Sequence, residues 1–123
     1  MINDKSRTYG KTKELSIQTL KAAFTDPKLD YIKIAILFGS RATDTANPQS
    51  DYDFAIFADK ADAWGVQAVA WGDITQILGL KECDVDIVDL TRLNGPLLSS
   101  IKERYIILKG DESSLQKLLQ NQR

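Results

Sequence analysis

The sequence has no histidine and a single cysteine, Cys83. No Ser-His-Asp triad, no Cys-His pair and no ordinary Cys/His zinc site can be assembled from it, and no internal disulfide can form. Any metal ion would have to be held by oxygen ligands, which suits Mg²⁺, Mn²⁺ or Ca²⁺. Charge of one sign is also missing. Sixteen basic and seventeen acidic residues leave a formal net charge of -1, so the chain as a whole does not attract nucleic acid or anionic lipid over distance. No local basic patch stands out, and direct nucleic-acid binding is not expected. There is no apolar run long enough to cross a bilayer, and the polar start Met1-Ile2-Asn3-Asp4-Lys5 does not read as a signal peptide. The expectation is a cytoplasmic protein without membrane attachment. Internal repeats, low-complexity tracts and linkers are absent as well.

What is present is an ordinary globular composition, 43% hydrophobic and 27% charged over 123 residues. That is enough for one domain, 1-123, with a real core. Leu15, Ile17, Leu20, Ala23 and Phe24 recur at helical spacing, predicting a helix over 11–24 that Asp26-Pro27 stops. The β-branched run 31–38, ending at Gly39, predicts a buried strand. A polar connection over 41–50, with room for one helical turn, leads to a second strand over 51–58. A helix over 61–78 follows, with Trp64, Ala68, Trp71, Ile74 and Leu78 on one face and Gly79 near its end. Residues 83–90 predict a third strand. Asn94-Gly95-Pro96 opens a helix to about Arg104, 105–109 form a short fourth strand, and Asp111 begins a last helix carrying Leu115, Leu118 and Leu119. The fold class expected is α/β (α+β), a single mixed sheet of about four strands with helices packed on it.

Three features bear on chemistry. Gly39-Ser40-Arg41 ends a buried strand. There a glycine lets the backbone turn sharply and approach a ligand, while its N–H and the serine hydroxyl can bond phosphate oxygens; by itself, a strand followed by Gly-Ser is a common turn. Ser50-Asp51-Tyr52-Asp53 opens the second strand with two carboxylates on one face. Their mutual repulsion is relieved by a divalent cation, though an isolated Asp-x-Asp can equally be a pair of solvated acids. The run Asp84-Val85-Asp86-Ile87-Val88-Asp89 places three acids in a predicted strand, where acids are depleted. Asp84 and Asp86 should share a face with Asp89 on the other, and one of them can be an edge charge that blocks aggregation. If the first two strands are antiparallel neighbours, Gly39-Ser40 and Asp51-x-Asp53 meet at one end of the sheet. A phosphate cradle would then sit beside a metal pair, as transfer from a triphosphate requires.

Gly39-Ser40, ten residues and Asp51-x-Asp53 together match the signature of the DNA polymerase beta-like nucleotidyltransferase superfamily. Gly39-Ser40-Arg41-Ala42 and Ser50-Asp51-Tyr52-Asp53-Phe54 most resemble its minimal nucleotidyltransferases, the MNT domains. The resemblance covers nearly the whole chain, because Val85-Asp86-Ile87-Val88 falls where that family places its third acid. It implies a nucleotidyltransferase fold, with Asp51, Asp53 and Asp86 as catalytic metal ligands for two Mg²⁺ ions and Asp86 also helping to activate the attacking hydroxyl. Gly39 and Ser40 would grip the β- and γ-phosphates of ATP. Arg41 and Ser50 are carried as further nucleotide-binding residues, whereas Asp84 matches no required position. The resemblance also implies a partner. MNT proteins pair with helical HEPN ribonuclease toxins, act as their antitoxins and can transfer AMP from ATP to a toxin tyrosine, so a hetero-oligomer with such a toxin is expected. A dimer or partner would supply the half of the cleft that larger relatives build from added domains. Transfer to a small molecule such as an antibiotic, and neutralisation by contact without catalysis, remain the alternatives. Trp64 and Trp71, seven apart, could stack a base, but a buried helix face explains them more simply. Phe57 and Tyr105 read as core and Lys81, Arg92 and Lys102 as solvated surface, while Arg104 and Lys109 lie near enough to the last strand to reach a phosphate.

Overall fold

The computed structural model describes residues 14–43, 50–58 and 65–121. Helix α1 (Ile17–Ala23) starts at Ser16, whose hydroxyl accepts from the Thr19 N–H and satisfies one of the free donors of the first turn. The predicted start at 11 falls outside the described residues up to 13, and Glu14 to Ser16 are not helical. Asp26 then caps a short 3₁₀ turn at Pro27–Leu29. Strand β1 (Ile32–Phe38) follows, with Lys33 alone exposed. A second 3₁₀ turn, Gly39–Arg41, leaves its end. Strand β2 (Tyr52–Ala58), helix α2 (Val66–Leu78), strand β3 (Val85–Asp89), helix α3 (Gly95–Glu103), strand β4 (Ile106–Lys109) and helix α4 (Glu112–Gln120) complete the order. Side chains cap the last two helices as well: Asn94 accepts from the Leu97 N–H, and Asp111 from the Ser114 N–H. Pro96 stands in the first turn of α3, where its missing N–H has no partner to lose.

The strands form one mixed sheet in the order β3-β2-β1-β4, with β1 antiparallel to both neighbours and β2 parallel to β3. The parallel pair is joined through α2, as a parallel connection needs a crossover. Alternation along the strands sends side chains to two separate cores. Ala35 and Leu37 of β1 with Tyr52, Phe54 and Ile56 of β2 meet Leu20 of α1 and Ala70, Ile74 and Leu78 of α2. Ile34, Ile36 and Phe38 with Ala55 meet Ile101 of α3 and Leu115 and Leu119 of α4 on the opposite face. Because both faces of β1 are covered, its sequence is an almost unbroken apolar run.

Two expectations are corrected. Ala68 is exposed, and the inner face of α2 runs through Ala70, Ile74 and Leu78 at four-residue steps, a rotation that carries position 68 toward solvent. Trp71 is half-buried against that core with its indole N–H donating to the Glu82 carbonyl at 3.1 Å, while Trp64 lies outside the described residues. The third strand is also shorter than predicted, because Glu82–Asp84 form a 3₁₀ turn and pairing begins only at Val85. Asp84 is therefore off the strand, where its carboxylate accepts from the Cys83 thiol at 3.8 Å. Among the described residues no helix is long and apolar enough to cross a membrane.

Candidate active site

The antiparallel register places Phe38, the last residue of β1, opposite Asp53. The turn at Gly39 therefore begins beside the Asp53 carboxylate. Gly39 has φ +77°, a left-handed conformation that other residues adopt only under strain. A methyl group added there would collide with Asp53 Oδ2 and stand 3.1 Å from its Cγ. Glycine is thus required twice, by its backbone conformation and by the proximity of the acid. The rest of the turn is tied down by backbone bonds. The Ala42 N–H donates to the Gly39 carbonyl at 3.0 Å and the Thr43 N–H to the Ser40 carbonyl at 3.2 Å.

On the other side of β2, parallel pairing puts Asp86 of β3 directly opposite Asp53. Paired residues of neighbouring strands project to the same face, so these two carboxylates stand side by side; Asp51, two residues ahead of Asp53, shares that face. Asp53 is partly buried, whereas Asp51 and Asp86 are exposed. Burial, then the charge of Asp86, then that of Asp51 push the Asp53 carboxyl up to about 6. Both causes disfavour the ionised form of Asp53. The donor set is oxygen only, of the kind that suits a hard divalent ion. Among the described residues no three acid or thiol groups converge closely enough to enclose an ion by themselves. Such a site would share its ion with ligands from outside the chain, as Mg²⁺ sites built on one or two carboxylates and substrate phosphates do.

The structure brings Gly39, Ser40, Asp51, Asp53 and Asp86 to one end of the sheet, while Arg41 turns elsewhere. Its guanidinium carbon lies 4.3 Å from the centre of the Tyr52 ring. Tyr52 falls between the two acids in sequence and so projects to the opposite face, into the core beneath α1 and α2. Arg41 Nε donates to the Ser50 carbonyl at 2.9 Å and Nη1 to Glu14 at 3.1 Å. The contacts of Arg41 thus lie behind the strand, because alternation along β2 places the Tyr52 ring there. Ser50 enters this arrangement through its carbonyl oxygen. Tyr52 and Glu14 were not singled out from the sequence. The signal available was Tyr52 itself, an aromatic with a polar tip forced to the core side by the acids flanking it; its hydroxyl accepts from the Leu15 N–H at 2.8 Å.

The remaining candidates lie outside the cluster. Asp89 accepts from the backbone and hydroxyl of Thr91 and caps the turn after β3. Lys109 donates to the Leu29 carbonyl at 3.0 Å, and Tyr105 pairs with Glu112 on α4. A cavity of about 350 Å³ lies beside Arg41, Tyr52 and Glu14, and another of about 210 Å³ lies at the far end of β2 and β3, bounded by Ile56, Val66 and Asp89; the acid cluster lines neither.

Among known proteins, the protein adenylyltransferase MntA of Aphanizomenon flos-aquae is 41% identical over 59 residues, which are 48% of this chain and 35% of that relative. The chain thus matches about a third of the length of this curated relative. Solved structures share the fold. A chain from a toxin–antitoxin complex with AMP-PNP superposes with a TM-score of 0.65 at 21% identity, over 85% of this chain and 82% of that one. A chain from the complex of tri-AMPylated Shewanella oneidensis HEPN toxin with MNT antitoxin gives 0.59 at 18% identity, over 85% and 81%. The family model described as polymerase beta, nucleotidyltransferase, matches residues 18–113. That span runs from α1 into α4 and takes in the glycine turn and all three acids, so the chain belongs to the polymerase beta nucleotidyltransferase family.

Proposed function

We propose that this chain is a Mg²⁺-dependent protein adenylyltransferase, an antitoxin that transfers AMP from ATP to a tyrosine of a partner HEPN toxin and so neutralises it. The observation that carries the chemistry is the Asp51, Asp53 and Asp86 cluster beside the Gly39 turn. The choice of acceptor rests on the likeness to an MntA adenylyltransferase and to a chain from the complex of an MNT antitoxin with tri-AMPylated HEPN toxin. ATP as donor is supported by the AMP-PNP complex among the structural neighbours.

In this reading Asp51, Asp53 and Asp86 hold Mg²⁺. When bound, the ion offsets their charge and that of the phosphate oxygens and polarises the α-phosphorus toward attack. Two ions would fit the reaction class. The chain's own residues do the rest. Gly39 presents backbone N–H at a turn with no side chain in the way, and Ser40 adds its hydroxyl, together cradling the β- and γ-phosphates so that pyrophosphate can leave in line. Asp86, exposed near the start of β3, would accept the proton of the tyrosine hydroxyl as it bonds to the α-phosphorus. Asp53 must be deprotonated to serve as a ligand, so a proton and the cation would compete for it. The acids lie on the sheet face covered farther along by α3 and α4, at an end where Asp51 and Asp86 remain open to an incoming protein.

The test is incubation with ATP or GTP labelled at the α-phosphate, Mg²⁺ and either host lysate or a co-purified partner, with Asp53→Asn alongside. Label on one protein band, only with wild type and chiefly from ATP, is the expected result. Label on a small molecule instead would move the acceptor to that class. No label anywhere, with the partner still bound and silenced, would leave neutralisation by contact.

A further inference from the structure

We propose that Arg41 is a positioning residue which acts from behind β2, fixing the backbone of Asp51 against the Gly39 turn without touching the nucleotide. The consequence for catalysis rests on the nucleotidyltransferase reading above; the geometry does not.

Asp51 is the one acid of the cluster outside the strand ladder. On the β1 side pairing ends at Phe38 with Asp53, and on the β3 side at Tyr52 with Val85. Two residues before Tyr52, the Ser50 carbonyl accepts from Arg41 Nε at 2.9 Å. Asp51 is thereby held between an anchored carbonyl and a laddered residue, and Arg41 links it back to the turn that starts at Gly39.

The anchor itself is rigid. The Arg41 side chain is only 7% exposed and its guanidinium carbon lies over the Tyr52 ring, whose hydroxyl is bonded to the Leu15 N–H. A planar guanidinium can stack, reach Ser50 through Nε and pair with Glu14 through Nη1 all at once, whereas a lysine ammonium cannot. Stability alone is a poor explanation for this residue. Among the described residues its buried Nη2 has no hydrogen-bond partner, and an apolar side chain would fill the space without that penalty. The choice of face also fits the chemistry. A guanidinium among the acids would neutralise them and compete with a cation, but from the Tyr52 side it positions them and leaves their charge intact.

The experiment compares wild type with Arg41→Lys and Arg41→Ala in three readouts. Hydrogen exchange at residues 50–53 needs neither metal nor nucleotide, Mn²⁺ affinity is read by electron paramagnetic resonance, and transfer of labelled AMP gives kcat and KM. In folded Arg41→Lys we expect exchange at 50–53 about tenfold faster with β4 unchanged. Mn²⁺ binding should weaken about tenfold, and kcat should fall at least about tenfold while KM for ATP stays within about twofold. A KM for ATP raised about tenfold, with exchange and Mn²⁺ affinity unchanged, would show a direct phosphate contact and overturn the proposal. So would wild-type behaviour in all three readouts, or loss of the fold in both variants. If wild type transfers no AMP, the adenylyltransferase reading falls, and exchange and Mn²⁺ affinity still decide the role of Arg41.

Discussion

With its carboxyl pushed up to about 6 by burial, Asp86 and Asp51, Asp53 opposes folding at neutral pH unless a cation is present. The folded state holds this proton more tightly than the unfolded state, whose value is near 3.8. Stability from this group therefore falls as pH rises from about 4 to about 6 and stays lower above that. After allowance for solvent screening the penalty is roughly 1–2 kcal/mol. In EDTA at pH 8, Asp53→Asn should raise the melting temperature by about 3–8 °C and flatten its dependence on pH between 4 and 6, as scanning calorimetry would record. The same change should lower AMP transfer at least about a thousandfold; a variant that is both more stable and inactive would mark the acid as functional. Gly39→Ala should behave in the opposite way. The left-handed backbone and the collision with Asp53 predict a loss of about 1–3 kcal/mol in denaturant melts, together with at least a hundredfold loss of transfer.

At the level of elements, the site depends on the sheet end being stiff, and the two layers of helices supply that stiffness. Leu119 of α4 is 1% exposed and packs in the same core as Phe38, the residue paired with Asp53. Leu119→Ala should cost about 2–5 kcal/mol in urea melts, with the spread set by how far α4 can settle into the gap. Asn94→Ala removes the cap of α3 and should cost about 1 kcal/mol. Neither should change the pH at which activity falls, because neither touches the acids.

For the whole molecule, the near-neutral net charge gives no long-range attraction, so a partner of the proposed kind would have to be recognised by local contacts. Transfer activity should fall in acid as a proton competes with the cation for Asp53, and added Mg²⁺ should move that fall to lower pH, as pH–rate profiles at two Mg²⁺ concentrations would show. Adding Mg²⁺ should raise the melting temperature at pH 8 and have little effect at pH 5. Equal stabilisation at both pH values would place the ion away from Asp53.

Element type and order were legible in the sequence because periodicity and capping are local: Asn94 and Asp111 start helices wherever the rest of the chain goes. The candidate acids were legible too, since the missing histidine and lone cysteine limit the possible ligands and alternation alone puts Asp51 and Asp53 on one face. Tertiary structure decided the rest. Asp86 becomes a neighbour of Asp53 only through the β2–β3 register, and Asp84 leaves the cluster because pairing begins at Val85. Arg41 adjoins Gly39-Ser40 in sequence, yet its guanidinium turns to the opposite face of the sheet, where the Tyr52 ring, the Ser50 carbonyl and Glu14 receive it. The destination of a long flexible side chain depends on which distant partners the fold delivers, and spacing along the chain does not contain that information.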